Sequence, residues 1–245
     1  MANKKNGKYY QVSTLQALAQ GFSKSVITVD ELLEHGDLGL GTFEDVDGEM
    51  IVLDGICYRA QNDGNVVLAE GERGVPFASV CSFVPQRMEK LDNVDSIEQL
   101  KKWLTLRIEE EFGLNSMFAV RIEGEFSKVD ARSESGTKAH HVTLKDALSV
   151  TQKAFLFENI EGTLVCVYYP DYMDGINAAG WHLHFLSKDK KYGGHVFDME
   201  LSHAEAVFCR ITSVEIRIPD TPAFDTYALK EASQEEIKKV EQGKE

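Results

Sequence analysis

Two stretches constrain this chain more than any others: Trp181-His182-Leu183-His184-Phe185-Leu186-Ser187, and Tyr192-Gly193-Gly194-His195-Val196 shortly after it. The alternation reads as a strand, on which residues two apart point to the same face. His182 and His184 therefore share a face. A loop of even length centred on Asp189-Lys190 returns the chain with His195 opposite His184 and on that same face; one residue more would turn it away. Three histidines with an open position are the usual shape of a catalytic zinc site. No cysteine lies close in sequence to complete a structural one. The competing reading is that alternate strand histidines are half-exposed surface residues. The third histidine in pairing register, beside the turn pair Gly193-Gly194, favours the metal.

A chain of 245 residues has ample length for a core and suits one large or two small domains. Its 43% hydrophobic and 27% charged residues are ordinary for a globular protein. The formal charge of -14 disfavours nucleic acid and anionic membranes as partners. Cys57, Cys81, Cys166 and Cys209 are widely spaced in apolar runs with no C-x-x-C pair, which makes them buried thiols rather than a disulfide frame. The basic start Met1-Ala2-Asn3-Lys4-Lys5-Asn6 leads into no apolar h-region, and no run approaches a membrane span. The expected location is the cytoplasm.

Tyr9 to Ser13, Glu49 to Leu53, Ile56 to Ala60, Val66 to Leu68, Phe77 to Val84 and Met117 to Ile122 read as strands. Thr14 to Gln20 is predicted helical. Thr28-Val29-Asp30-Glu31 is a capping box opening a second helix through Leu33. Ser96 starts the one long helix, with the stripe Ile97, Leu100, Leu104, Ile108, Phe112 and a stop at Gly113. A loop is predicted over Ala131 to His141, and a helix over Leu144 to Gln152. Ala154 to Asn159 and Thr163 to Tyr169 are predicted to form a hairpin around Glu161-Gly162. A β-rich run over Ala206 to Ile218 and a charged helix over Ser233 to Glu241 follow. Strands outnumber helices without alternating with them, so the expected class is α+β (mixed α/β) rather than doubly wound. The expectation is a single unit over 1–245, of two packed β-sheet-based subdomains with flanking helices and a boundary near 113–142.

The chain resembles bacterial α-acetolactate decarboxylases over nearly its whole length. The resemblance is carried by Gly41-Thr42-Phe43, Asp47-Gly48-Glu49, Gly74-Val75-Pro76-Phe77-Ala78, Val120-Arg121-Ile122-Glu123-Gly124, Arg132, Gly180 to Leu186 and Gly193-Gly194-His195-Val196. Trp181 stands where the family often has Tyr or Phe. The resemblance implies a zinc enzyme that converts 2-acetolactate to acetoin and carbon dioxide, with two β-sheets, usually as a homodimer. It implies zinc on His182, His184 and His195, and active-site roles for Thr42, Glu49, Arg132 and a C-terminal glutamate aligned with Glu241.

The chemistry implied is that of a β-keto acid with an α-hydroxyl group. Loss of carbon dioxide sends electrons into the ketone, giving an enediolate that a Lewis-acidic metal stabilises. Arg132, always cationic, suits the substrate carboxylate or the enediolate oxygen; by itself it reads as a surface residue of a polar loop. Glu49, by itself a turn-edge charge, suits delivery of the proton that sets the acetoin stereocentre. Ile237, Val240 and Glu241 share one helical face, so two apolar anchors could dock the tail and bring Glu241 over the zinc cavity. His140-His141 read as solvated, and His35 and His203 lie at segment ends. Gly36 to Gly41 lacks the Lys-Ser/Thr of a phosphate loop. Two alternatives stay open: another three-histidine metal enzyme, such as a cupin-like oxygenase, and a non-enzymatic metal-binding module. Lys188-Asp189 at the spacing of the cupin glutamate ligand counts against the first.

Overall fold

The computed structural model describes residues 6–137, 142–227 and 229. The strands are β1 (Gly7–Val12), β2 (Ile27–Thr28), β3 (Leu38–Thr42), β4 (Glu49–Leu53), β5 (Ile56–Ala60), β6 (Val66–Leu68), β7 (Gly74–Val75), β8 (Phe77–Cys81), β9 (Arg87–Val94), β10 (Met117–Ser133), β11 (Lys153–Tyr169), β12 (Gly180–Ser187) and β13 (Gly193–Arg217). The helices are α1 (Leu15–Ala19), α2 (Val29–Leu33), α3 (Ile97–Phe112) and α4 (Leu144–Thr151). The molecule is thus mostly β-structure with a few flanking helices.

Local chemistry sets the helix starts. Thr14, Thr28, Ser96 and Thr143 each accept a backbone N–H of the first turn through their side-chain oxygen. The capping box at Thr28 and Glu31 is complete. Along α3, Ile97, Leu100, Leu104 and Ile108 are buried, one face of a 3.6-residue period. Gly113, with φ 73, ends it.

Eleven strands make one hydrogen-bonded sheet in the order β10-β11-β12-β13-β1-β8-β3-β4-β5-β6, with β9 paired to β13. β10 also pairs with β13, so β10 to β13 close into a ring. Residues 117–133, inside the stretch where a boundary was expected, are a strand paired on both sides. The sheet turns its two halves toward each other. Leu40, Ile51 and Leu53 from the first half share a core with Ala119, Val165, Val167 and Leu186 from the second. α3 packs on the ring through a separate core that includes Leu100, Leu104, Phe118, Leu183 and Phe185.

Three local expectations are corrected. The hairpin around Glu161-Gly162 is one unbroken strand, β11, paired with β10 from Lys153 to Tyr168. Gly162 is there for close approach, because a Cβ would stand 2.5 Å from the Phe185 ring. The loop expected from Ala131 starts later, since β10 runs to Ser133. β9 was not anticipated: its charge-rich sequence lacks clean alternation, as suits a strand paired only with β13. The four cysteines are free and buried, as expected.

Candidate active site

β12 and β13 pair antiparallel with His184 opposite His195, Phe185 opposite Gly194 and Leu186 opposite Gly193. Gly194 also lets β13 lie close to β10: a Cβ there would stand 2.5 Å from the Arg132 carbonyl oxygen. All three histidines are buried. His182 Nε2 lies 3.1 Å from His184 Nε2 and 3.0 Å from His195 Nδ1. Tetrahedral zinc with Zn–N bonds of ~2.0–2.1 Å places its nitrogens about 3.3 Å apart. The three imidazoles form the group of possible metal ligands among the described residues.

Their protonation state suits that use. His184 Nδ1 is 2.7 Å from the Met50 carbonyl oxygen, a contact that requires the proton on Nδ1 and leaves Nε2 as a lone pair facing the cluster. Burial, with the charges of Arg132 and Lys101 added, lowers the His182 pKa to about 3. Burial, then His182 and Arg132, holds His184 well below the ordinary histidine range, against the Met50 hydrogen bond. Neutral imidazole is the form that binds a metal. Buried rings with converging nitrogens and disfavoured protonation fit a divalent cation.

The other expected residues come from both halves of the sheet. Glu49 opens β4, is buried, and has Oε2 3.4 Å from His184 Nε2. Its backbone N–H donates to Ser133 Oγ at 3.2 Å, and that hydroxyl donates to the Ala60 carbonyl at 2.8 Å. Ser133 thereby pins the start of β4 to the end of β10. Thr42 pairs with Glu49 across β3 and β4, and its hydroxyl donates to the Gly48 carbonyl at 2.9 Å. Arg132 is corrected from a polar loop to a buried strand position directly opposite His195. Its Nη1 donates to Gln152 Oε1 at 2.6 Å, and its Cζ lies 4.6 Å from the centroid of the Phe197 ring. Glu241 lies outside the described residues, as do His140, His141 and the helix expected over Ser233 to Glu241.

A small cavity of ≈ 30 Å³ opens among these groups. Its polar end carries Thr42, Glu49, Arg132, Glu134, His182 and His195. Its apolar end is Leu18 of α1, Val46, Phe77, and Leu144 and Leu148 of α4. Sequence reasoning missed Glu134, Gln152 and Phe197. Glu134 stands two residues from Arg132, just past the end of β10, and would have been flagged as sharing its face had the extended chain been read through it. Gln152 carries no such signal. A far larger trough, ≈ 580 Å³, crosses the sheet elsewhere, and six of its charged side chains form the pairs Arg121–Glu123, Lys188–Glu161 and His203–Asp92. His203 is held in this surface ion pair, and His35 stacks on Tyr10.

The family model of alpha-acetolactate decarboxylase matches residues 9–231. An alpha-acetolactate decarboxylase of Methanosarcina mazei is 37% identical over 242 residues, covering 98% of this chain and 82% of its own. One from Lactococcus lactis subsp. lactis is 40% identical over 194 residues, covering 77% of this chain and 78% of its own. The crystal structure of alpha-acetolactate decarboxylase from Bacillus subtilis strain 168 superposes with a TM-score of 0.91 at 31% identity, covering 97% of this chain and all of that one. The chain belongs to the alpha-acetolactate decarboxylase family, and so is a carbon–carbon lyase and neither an oxygenase nor a non-enzymatic module.

Proposed function

We propose that the chain decarboxylates 2-acetolactate to acetoin and carbon dioxide, with one zinc ion on His182, His184 and His195. The observation that carries the reading is the convergence of three buried imidazoles, two of which line a cavity together with Thr42, a cation and carboxylates. His182, His184 and His195 would hold the ion, which would supply Lewis acidity to the reaction.

The chain's own residues do the rest. Arg132 receives the substrate carboxylate, and its guanidinium keeps its charge at any working pH. As carbon dioxide leaves, the electron pair of the breaking bond passes into the former ketone, giving an enediolate. Glu49, buried beside His184, is placed to hand a proton to one face of that enediolate and so to set the stereocentre of acetoin. Thr42 is a substrate contact and holds the Gly48 turn in front of Glu49. The apolar end receives the methyl groups. Glu241 is assigned to closing the cavity from the C-terminal tail, on the strength of the resemblance and of Ile237 and Val240 on its helical face.

The working form is proposed to be a cytoplasmic homodimer acting on this small molecule, with neither nucleic acid nor membrane as partner. No helix among the described residues is long and apolar enough to cross a membrane.

The deciding experiment adds acetolactate to the purified chain, measures acetoin and carbon dioxide, and counts metal per chain. Stoichiometric zinc, activity lost on chelation and regained on adding zinc are expected. Full activity in metal-free protein would sink the zinc assignment, and no acetoin from the zinc-loaded chain would sink the substrate. Deleting residues from Ser233 onward tests the tail: turnover should fall strongly with zinc content intact.

A further inference from the structure

Arg132 is a long side chain, and a guanidinium that wanders costs rate because recognition of a carboxylate depends on its angle as well as its charge. Two residues outside the expected site hold it. Gln152 Oε1 accepts from Arg132 Nη1 at 2.6 Å, a short hydrogen bond from a charged donor. The Phe197 ring lies under the guanidinium at 4.6 Å, which fixes its plane. Phe197 also stands edge-on to the His195 ring, with centroids 5.6 Å apart. One aromatic side chain therefore touches both the cation and a proposed metal ligand.

Gln152 also connects Arg132 to the cavity wall. It is the C-cap of α4, and its backbone N–H donates to the Leu148 carbonyl at 2.9 Å. Leu148 and Leu144 of that helix line the apolar end of the same cavity. The seat of α4 thus sets two things together: the space left for the substrate's alkyl groups and the direction of the guanidinium.

We propose that Gln152 and Phe197 are positioning residues for Arg132, and that through Gln152 the packing of α4 sets the angle at which Arg132 meets the substrate carboxylate. This rests on the reading of Arg132 as the carboxylate-binding group.

A double-mutant cycle on the zinc-loaded full chain tests it. Gln152→Met keeps length and removes the acceptor; Phe197→Leu keeps apolar bulk and removes the π face. Gln152→Met should lower kcat/KM roughly tenfold or more, the scale of a hydrogen bond to a charged group, and Phe197→Leu roughly threefold to thirtyfold, the scale of a cation–π contact, with zinc content and thermal midpoint unmoved. In an Arg132→Ala background the same substitutions should change kcat/KM by less than about twofold, because the group they act through is gone. Gln152→Glu keeps the acceptor oxygen and should keep kcat closer to that of the unmodified chain than Gln152→Met does. Where turnover is too slow to follow, binding of 2-hydroxyisobutyrate, which retains the hydroxyl and carboxylate, reads the same cycle. Should Gln152→Met fail to fold, Phe197→Leu and Gln152→Glu carry it. Equal losses with and without Arg132, or an unaltered kcat/KM in both Gln152→Met and Phe197→Leu, overturn the proposal. Normal turnover and affinity in Arg132→Ala alone would instead overturn the role of Arg132, a separate result from the cycle.

Discussion

The two ends of the cavity are built differently. At the histidine end, each ring is carried by a strand inside the ring of β10 to β13, where main-chain pairing and the tight approach at Gly194 leave little room for adjustment. At the far end, beside Val46 and Phe77, the wall is made of side chains from two short helices, five residues of α1 and eight of α4, packed together through Leu15, Leu18, Leu144 and Leu148. Helices this short have little stability of their own and depend on tertiary packing. The contrast separates two kinds of wall: groups that converge to within ångströms sit on paired strands, whereas much of the apolar surface sits on short helices, where one side chain can change without moving the sheet.

The hardest test of that division is at the rigid end. His182→Ala, His184→Ala and His195→Ala should each remove bound zinc and turnover together while leaving β-sheet circular dichroism intact. A variant of His195 that retains stoichiometric zinc and activity would show that the strand register does not serve the metal.

Glu49→Gln comes next. It keeps shape but cannot carry the proton, so turnover should fall ~10²–10⁴-fold, the usual span for general acid–base catalysis, with zinc retained. Unchanged rate and unchanged acetoin enantiomer purity would take the proton step away from Glu49.

Acid should expose the rigid end in metal-stripped protein. The His182 pKa falls from an ordinary value near 6.5 to about 3 on folding, chiefly through burial. Between those values the unfolded chain binds a proton that the folded chain refuses, so stability drops as pH falls through that window, and this group adds no slope above it. His203, exposed beside Asp92, has its pKa raised and acts in the opposite sense; its contribution is present at low pH and lost as pH rises through the raised value. The thermal midpoint of the stripped chain should therefore fall from pH 6.5 downward, and His182→Gln should flatten part of that slope.

The smallest effect belongs to the adjustable end. Leu148→Ala should cost about 2 kcal/mol of stability and little turnover of acetolactate. It should improve kcat/KM for an analogue with ethyl in place of the C2 methyl by roughly tenfold, the value of one methylene in an apolar pocket. Equal effects on both substrates would show that α4 does not read size.

Much of this was legible in the chain. Capping residues at Thr14, Thr28, Ser96 and Thr143 stand before their helices because a first-turn N–H needs an acceptor nearby, and that is local chemistry. The histidine register was legible for the same kind of reason: a strand repeats every two residues, and the loop from Ser187 to Tyr192 is short. Glu161-Gly162 misled because a glycine required by a neighbouring ring looks, in sequence, like a glycine required by a turn. Arg132 misled because Asp130-Ala131-Arg132-Ser133-Glu134 is polar, and its burial is supplied by partners from elsewhere in the chain.

By itself, then, the sequence determined which residues lie on one strand face, where helices begin, and the three imidazoles that can meet. Only the tertiary structure decided that Glu49, from the first half of the sheet, would reach within 3.4 Å of His184, from the second. It also decided that Ser133 would pin the two halves and that Gln152 and Phe197 would hold Arg132. The reason is reach: local geometry acts over a turn or a hairpin, whereas these contacts join residues brought together when distant strands bury their apolar faces against each other.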